Sequence, residues 1–422
     1  MKKLLISTLV TAFLLGSLTS CEQISISNTI TAENLMATAT KSDIAISGAL
    51  EEQDKVALME FYCKLLTQTH QIESEGQENI MISPLSIATA LSMTGLGADG
   101  DTLSEMEEVF GLSKDAMASY LSAYIESLPS TETAEFHLAN SIWVKDDPKL
   151  TVQDSFLGDN KAYFDPDVFK APFDSGTLSE INKWTKTNTN GMIDKVLEEI
   201  PKEAVLYLIN ALCFEGEWEN TYYEEQVRDR VFYHLDGTET TVDMMYSSES
   251  GYLEGESFIG FSKPYKDNTY RFVGLLPEEG GSTDEILAEL TANPESFLEQ
   301  LATSEDFVDS VALPKFEQEF SAELSETLES LGMTSAFDVD LADFAKMGEH
   351  TDENIYISQV IHKTYIQVDE LGTKAGAVTS GGMSGGGAPS ETKEVHLDRP
   401  FVYMIVDTEE NLPLFMGIIN EL

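Results

Sequence analysis

Near the C-terminus, the strand-like run from Ile355 to Val368 leads into a connection from Glu370 to Glu394, and the next apolar run begins only near Val395. Structureless connections longer than about 15 residues are uncommon inside compact domains, and they are functional or disordered where they occur. The second half, Ser380 to Gly387, reads as a Gly-rich linker. The first half does not, because Gly372 to Thr379 is a run of small residues that could slot between two existing strands. The fold therefore has to let a long strand run directly into a segment able to join a sheet.

The rest of the chain is built to supply one. Of 422 residues, those from Asp54 onward show no Gly/Ser-rich break until residue 380. That continuity argues for one domain over 54–422, in place of the two or three that length alone would suggest. Helical and strand periods alternate within it. Thr102-Leu103-Ser104-Glu105 and Ser282-Thr283-Asp284-Glu285 are capping-box patterns, each opening a helix, and Leu324, Leu328 and Leu331 have helical spacing ahead of Gly332. Strand-like runs are Val205–Phe214, Tyr270–Leu276, Ile355–Val368 and Phe401–Val406, rich in β-branched and aromatic residues. Long strands and intervening helices without βαβ regularity indicate an α+β fold with large mixed sheets.

Lys and Arg number 25 against 74 Asp and Glu, a net charge of −49. Such a field repels phosphate and excludes nucleic acid as a partner, and it disfavours a polybasic membrane contact. Apolar residues make up 42%, enough for a large core. The three cysteines, Cys21, Cys63 and Cys213, are too few for a disulfide framework and lack metal-ligand spacing, so Cys63 and Cys213 are expected as buried thiols. No metal or cofactor is expected. H-E-x-x-H, Walker A and dinucleotide glycine patterns are absent. Gly382-Met383-Ser384-Gly385-Gly386 matches a hydrolase elbow by letter, but it lacks the strand before and the helix after that the elbow needs. An enzyme is not expected.

The N-terminus has an export pattern: Met1-Lys2-Lys3, then a mostly apolar stretch from Leu4 to Leu15 that is too short to span a bilayer. Leu18-Thr19-Ser20-Cys21 resembles a bacterial lipobox. That resemblance implies a signal peptide over 1–20 and lipid attachment at Cys21, which place the chain on the periplasmic or cell-surface side of a bacterial envelope. An ordinary secretory signal is the other reading, and both export the protein. Residues 21–53, with no sustained period, are expected to be a flexible tether.

Six separated blocks resemble the serpins, the serine protease inhibitor superfamily, in family order. They are Asn79-Ile80-Met81-Ile82-Ser83-Pro84-Leu85-Ser86-Ile87-Ala88; Asn182-Lys183-Trp184 with Gly191-Met192-Ile193; Leu208-Ile209-Asn210-Ala211 with Phe214-Glu215-Gly216-Glu217-Trp218; Leu313-Pro314-Lys315-Phe316; Leu331-Gly332-Met333; and Arg399-Pro400-Phe401 with Pro413-Leu414-Phe415-Met416-Gly417. The resemblance implies three β-sheets, eight or nine helices and an exposed reactive loop. It also implies a monomeric suicide substrate of serine endopeptidases, and by extension of cysteine endopeptidases: the loop is cleaved and inserts as a strand of the central sheet, carrying the covalently bound protease with it. A non-inhibitory surface binding protein of the same fold is the alternative.

In that register the hinge comprises Glu370, Gly372, Thr373, Ala375, Gly376, Ala377, Val378 and Thr379. By the two-residue period, Thr373, Ala375, Ala377 and Thr379 face inward and are small and uncharged, as insertion requires. Leu371 and Lys374 depart from the polar or acidic residues that family hinges often carry there. Ser83, Ser86, Asn210 and His362 are implied as a hydrogen-bonded shutter, and Trp218 as the breach where insertion starts. Counting along the register puts the residue before the cleaved bond at Gly386, so that Thr373–Gly386 would extend about 46 Å as a strand, whereas counting back from Pro400 gives Pro389. Met383 is the large apolar side chain near the loop centre, so the scissile region stays within Met383, Ser384, Gly385, Gly386, Gly387 and Ala388. Elastase-like or subtilisin-like targets are favoured over trypsin-like ones.

Overall fold

The computed structural model describes residues 30–48, 51–73, 78–129, 131, 133–373 and 392–422. Among them are nine α-helices and four sheets. Sheet A has seven strands in the spatial order β1 (Glu33–Asn34), β5 (Asp167–Ala171), β3 (Ala134–Lys145), β6 (Leu206–Glu217), β16 (Gly372–Thr373), β15 (Gln359–Val368) and β13 (Phe316–Glu323). Sheet B has the order β2 (Ile80–Ile82), β19 (Pro413–Ile419), β18 (Phe401–Asp407), β11 (Tyr270–Pro277), β10 (Phe258–Pro264) and β9 (Leu253–Glu254). Sheet C has β17 (Glu394–His396), β12 (Phe307–Pro314), β8 (Glu239–Ser250) and β7 (Val227–Tyr233), and a ribbon pairs β14 (Gly348–His350) with β4 (Leu150–Val152). Three large sheets and nine helices in an α+β arrangement are what the serpin resemblance implied.

The core lies where the sequence is continuously apolar. Every residue of β18 and β19 is buried, as a strand covered on both faces requires. The helix Pro84–Gly95 is buried along its whole length, with Pro84 in its first turn and Ser83 as N-cap, its side chain accepting from the Ser86 N–H. The four strand-like runs of the sequence are β6, β11, β15 and β18, with ends shifted by a few residues. The Ser282–Glu285 capping box forms as expected. Thr102 does not cap a helix. That helix starts at Gly100, and the buried Thr102 hydroxyl accepts from the Asp343 N–H at 2.9 Å while Glu105 accepts from Ser335 N–H, so tertiary partners take over both residues.

The expectation of a flexible tether over 21–53 fails for residues 30–48. β1 pairs antiparallel with β5, Met36 is 4% exposed within the main core, and the Ser47 N–H donates to Ser119 Oγ at 2.8 Å. β5 would otherwise be an open sheet edge, and β1 covers it, with Met36 of the turn that follows buried in the core. Cys63 and Cys213 are buried and form no disulfide, and burial pushes the Cys63 thiol up to about 12.

Candidate functional site: a seam in the central sheet and the base of the reactive loop

β6 and β15 run parallel and are paired directly over seven residues of each, 207–213 against 359–365. Near their far end the two part, and Gly372–Thr373 lies between them: Gly372 opposite Glu217, Thr373 opposite Gly216 on one side and Val368 on the other. The start of the loop is thus already the first rung of an extra strand, and the direct pairing beyond it is a seam that a longer strand would have to open. Gly372 is required by close approach, since a Cβ there would lie 1.9 Å from the Gly216 carbonyl oxygen. Its role is therefore proximity to β6 more than freedom in a turn. Thr373 is fully buried, as its inward position predicted, and its hydroxyl lies 2.5 Å from Tyr265 Oη.

Ser83, Ser86, Asn210 and His362, expected from the resemblance as a shutter, come together across the seam. His362 on β15 is opposite Asn210 on β6, and its Nδ1–H donates to Asn210 Oδ1 at 2.5 Å. Its Nε2 accepts from the Ser83 N–H at 3.0 Å. Both bonds suit the neutral ring, and burial pushes the His362 pKa down to about 3. The row continues through a residue that sequence reasoning missed: Asn210 Nδ2 donates to Asn140 Oδ1 at 2.8 Å, and Asn140 Oδ1 also accepts from Ser86 Oγ at 3.2 Å. Asn140 lies directly opposite Asn210 on β3. The one signal it offered was an amide inside an apolar strand pattern.

Trp218, which continues the chain from β6, is 1% exposed and grips the loop base. Its backbone N–H donates to Leu371 O at 2.9 Å and its indole Nε1–H to Asp369 O at 2.8 Å, while Tyr222 N–H donates to Glu370 O at 2.9 Å. The Tyr265 ring stacks on Trp218 at 4.4 Å. Glu370 pairs with Lys315 at 2.8 Å, and Lys315 also reaches Asp243 at 3.1 Å. Partial burial acts to lower the Lys315 pKa, but these two carboxylates outweigh it and the ammonium is held above its ordinary range. Tyr265, Asp369 and Lys315 were given no role from sequence, because the partners that define them here are distant in the chain: Thr373 is 108 residues from Tyr265, Trp218 151 from Asp369 and Glu370 55 from Lys315. Of the remaining candidate residues, Ala375, Gly376, Ala377, Val378, Thr379, the scissile set Met383–Ala388 and Cys21 lie outside the described residues.

Comparison with known proteins agrees with this geometry. The family model for serpins, described as serine protease inhibitors, matches residues 57–422. An uncharacterized serpin-like protein of Methanosarcina mazei is 30% identical over 372 residues, covering 85% of this chain and 84% of the relative. The crystal structure of a thermophilic serpin, tengpin, in the native state is similar at a TM-score of 0.86 and 42% identity, covering 93% of this chain and all of that one. The same serpin in the latent state gives a TM-score of 0.75 at 40% identity, with 91% and 100% covered. On the family match, the relatives and the shared architecture, this chain belongs to the serpin family.

Proposed function

We propose that this protein is a suicide-substrate inhibitor of serine endopeptidases, and of cysteine endopeptidases by the same acyl chemistry, with elastase-like or subtilisin-like enzymes as preferred targets. The observation that carries the reading is the placement of Gly372–Thr373 as the first rung between β6 and β15. The protease nucleophile attacks the carbonyl carbon of a loop peptide within Met383–Ala388, an ester forms with a serine nucleophile or a thioester with a cysteine, and the amine of the next residue leaves with a proton from the protease's own base. The freed upstream segment then extends β16 down the seam. Each direct β6–β15 rung is exchanged for rungs to the new strand, and the His362–Asn210 bond must break on the way.

Dragging the acyl link along the sheet distorts the enzyme that holds it. A displacement of ~1 Å can cost about a hundredfold in rate, and moving the acyl carbonyl out of the oxyanion hole removes more. Chemistry is supplied by the protease alone. A net charge of −49 speeds the approach of a cationic protease, an effect that fades with salt. The lipobox-like Leu18–Cys21 supports export and a lipid anchor at Cys21 that holds the inhibitor, as a monomer, at the bacterial cell envelope. The test is incubation with elastase-like and subtilisin-like proteases followed by a denaturing gel. A covalent complex at the summed mass is expected, with the loop cut within Met383–Ala388 by mass spectrometry. Absence of any complex across the panel would favour the non-inhibitory binding protein.

A further inference from the structure

Lys263 on β10 is 1% exposed in a chain short of cations. Its Nζ donates to Glu249 Oε1 on β8 at 2.7 Å and to Asn220 O at 3.2 Å. The same ammonium lies 4.5 Å from the centre of the Tyr222 ring and 5.3 Å from that of Trp218. Glu249 is also held by the Ser247 hydroxyl at 2.6 Å. One buried cation thus ties sheet B, where it sits, and sheet C, through Glu249, to the Trp218–Tyr222 segment that continues β6 of sheet A. That segment is the one whose N–H groups hold Asp369, Glu370 and Leu371.

A buried ion pair is weak evidence of a stabilising purpose, because desolvation offsets much of the attraction. The partners here say more than the pair alone. Burial acts to lower the Lys263 pKa, but Tyr222 and Glu249 outweigh it, so the ammonium persists and both aromatic faces remain attracted to it. Asn220, Trp218 and Tyr222 are each fixed by this one side chain, and two of the three bond the loop base directly.

We propose that Lys263 is a positioning residue for loop insertion: through Trp218, Asn220 and Tyr222 it seats Asp369–Thr373 at the mouth of the seam, so that insertion outruns hydrolysis of the acyl-enzyme. This rests on the inhibitor reading above. The loop's encounter with the protease does not involve the seat, so Lys263 acts on the partition after acylation and leaves the association step unchanged.

The single variant Lys263→Met strands Glu249 in the interior, so the test uses Lys263→Met/Glu249→Leu, which replaces the pair with apolar groups of similar size. In the full chain, the moles of inhibitor consumed per mole of protease should rise at least threefold, with the association rate constant within twofold of the parent. Phe415→Leu, a destabilising change inside sheet B, should leave that stoichiometry unaltered and serves as the control for lost stability alone. Hydrogen exchange of the Trp218 and Tyr222 amides should quicken at least tenfold in the double variant, with the helix Glu52–Glu73 unaffected. Unchanged exchange overturns the proposal, and so does unchanged stoichiometry where the parent inhibits. If the parent traps no protease, the inhibitor reading fails separately, and the exchange result alone decides whether Lys263 seats the loop base.

Discussion

Sheet A along its seam and sheet B along β18 and β19 are both buried and largely apolar, but the seam carries in addition a row of buried, hydrogen-bonded polar side chains. In sheet B, Phe401, Tyr403, Met404, Ile405, Phe415, Met416 and Ile418 are at most 1% exposed and interlock as apolar side chains. Across the seam and its mouth, the fully buried residues include Ser83, Asn210, His362, Thr364 and Thr373. Apolar packing is non-directional and has no substitute once the strands separate. A hydrogen bond across a seam can be handed to an incoming strand that offers the same groups. On the proposed insertion mechanism, the exchangeable contacts lie where the sheet would open.

That contrast can be attacked from either side. The largest effect is expected from Thr373→Arg, which forces a guanidinium into a fully buried slot beside Tyr265. Covalent complex on a denaturing gel should fall at least tenfold while loop cleavage continues, turning inhibitor into substrate. Phe415→Ala, in sheet B, should lower stability by about 3–5 kcal/mol in chemical denaturation without altering the stoichiometry of inhibition. His362→Ala leaves the Ser83 N–H and Asn210 Oδ1 without their partner, a loss of about 1–3 kcal/mol. It should also speed spontaneous conversion to an inserted, uncleaved form on a native gel.

The same histidine gives a pH signature. Its folded pKa is pushed down to about 3 against an unfolded value of 6.5, so its contribution is complete above 6.5 and is lost as pH falls toward 3. Between those limits the thermal midpoint of the parent should drop more steeply than that of His362→Ala. The smallest effect belongs to Glu370→Gln at the rim of the breach. Both side chains of the Lys315–Glu370 pair are about a third exposed, at 29% and 33%. Solvent screens such a pair, and stability should change by no more than ~1 kcal/mol.

The sequence revealed these regions unequally, for physical reasons. β18 and the long strands β6, β11 and β15 were legible because β-branched and aromatic runs have few other places to go. Thr373 was legible because a two-residue period fixes which side of a strand faces the core. Asn140, Tyr265 and Lys263 were not, since each is defined by a partner on a different strand, helix or sheet, far away in the chain, and nothing local marks it. Residues 30–48 were missed because a two-residue strand such as Glu33–Asn34 leaves no period to detect, and scattered residues do the packing: Met36 buried, with Ile30, Ala32, Leu35 and Ala39 partly buried against the cores. Thr102 was misread because a local capping pattern was overridden by Asp343, 241 residues away.

On the inhibitor proposal, the loop segment after Thr373 enters the seam once the chain is cut within Met383–Ala388. This is tested most directly by cutting the native chain once within Met383–Ala388 and comparing thermal unfolding before and after. Insertion of the freed segment should raise the midpoint by at least about 10 °C, corresponding to several kcal/mol of new sheet contacts. A midpoint that stays the same or falls would contradict the account, because the cut segment would then have nowhere better to go.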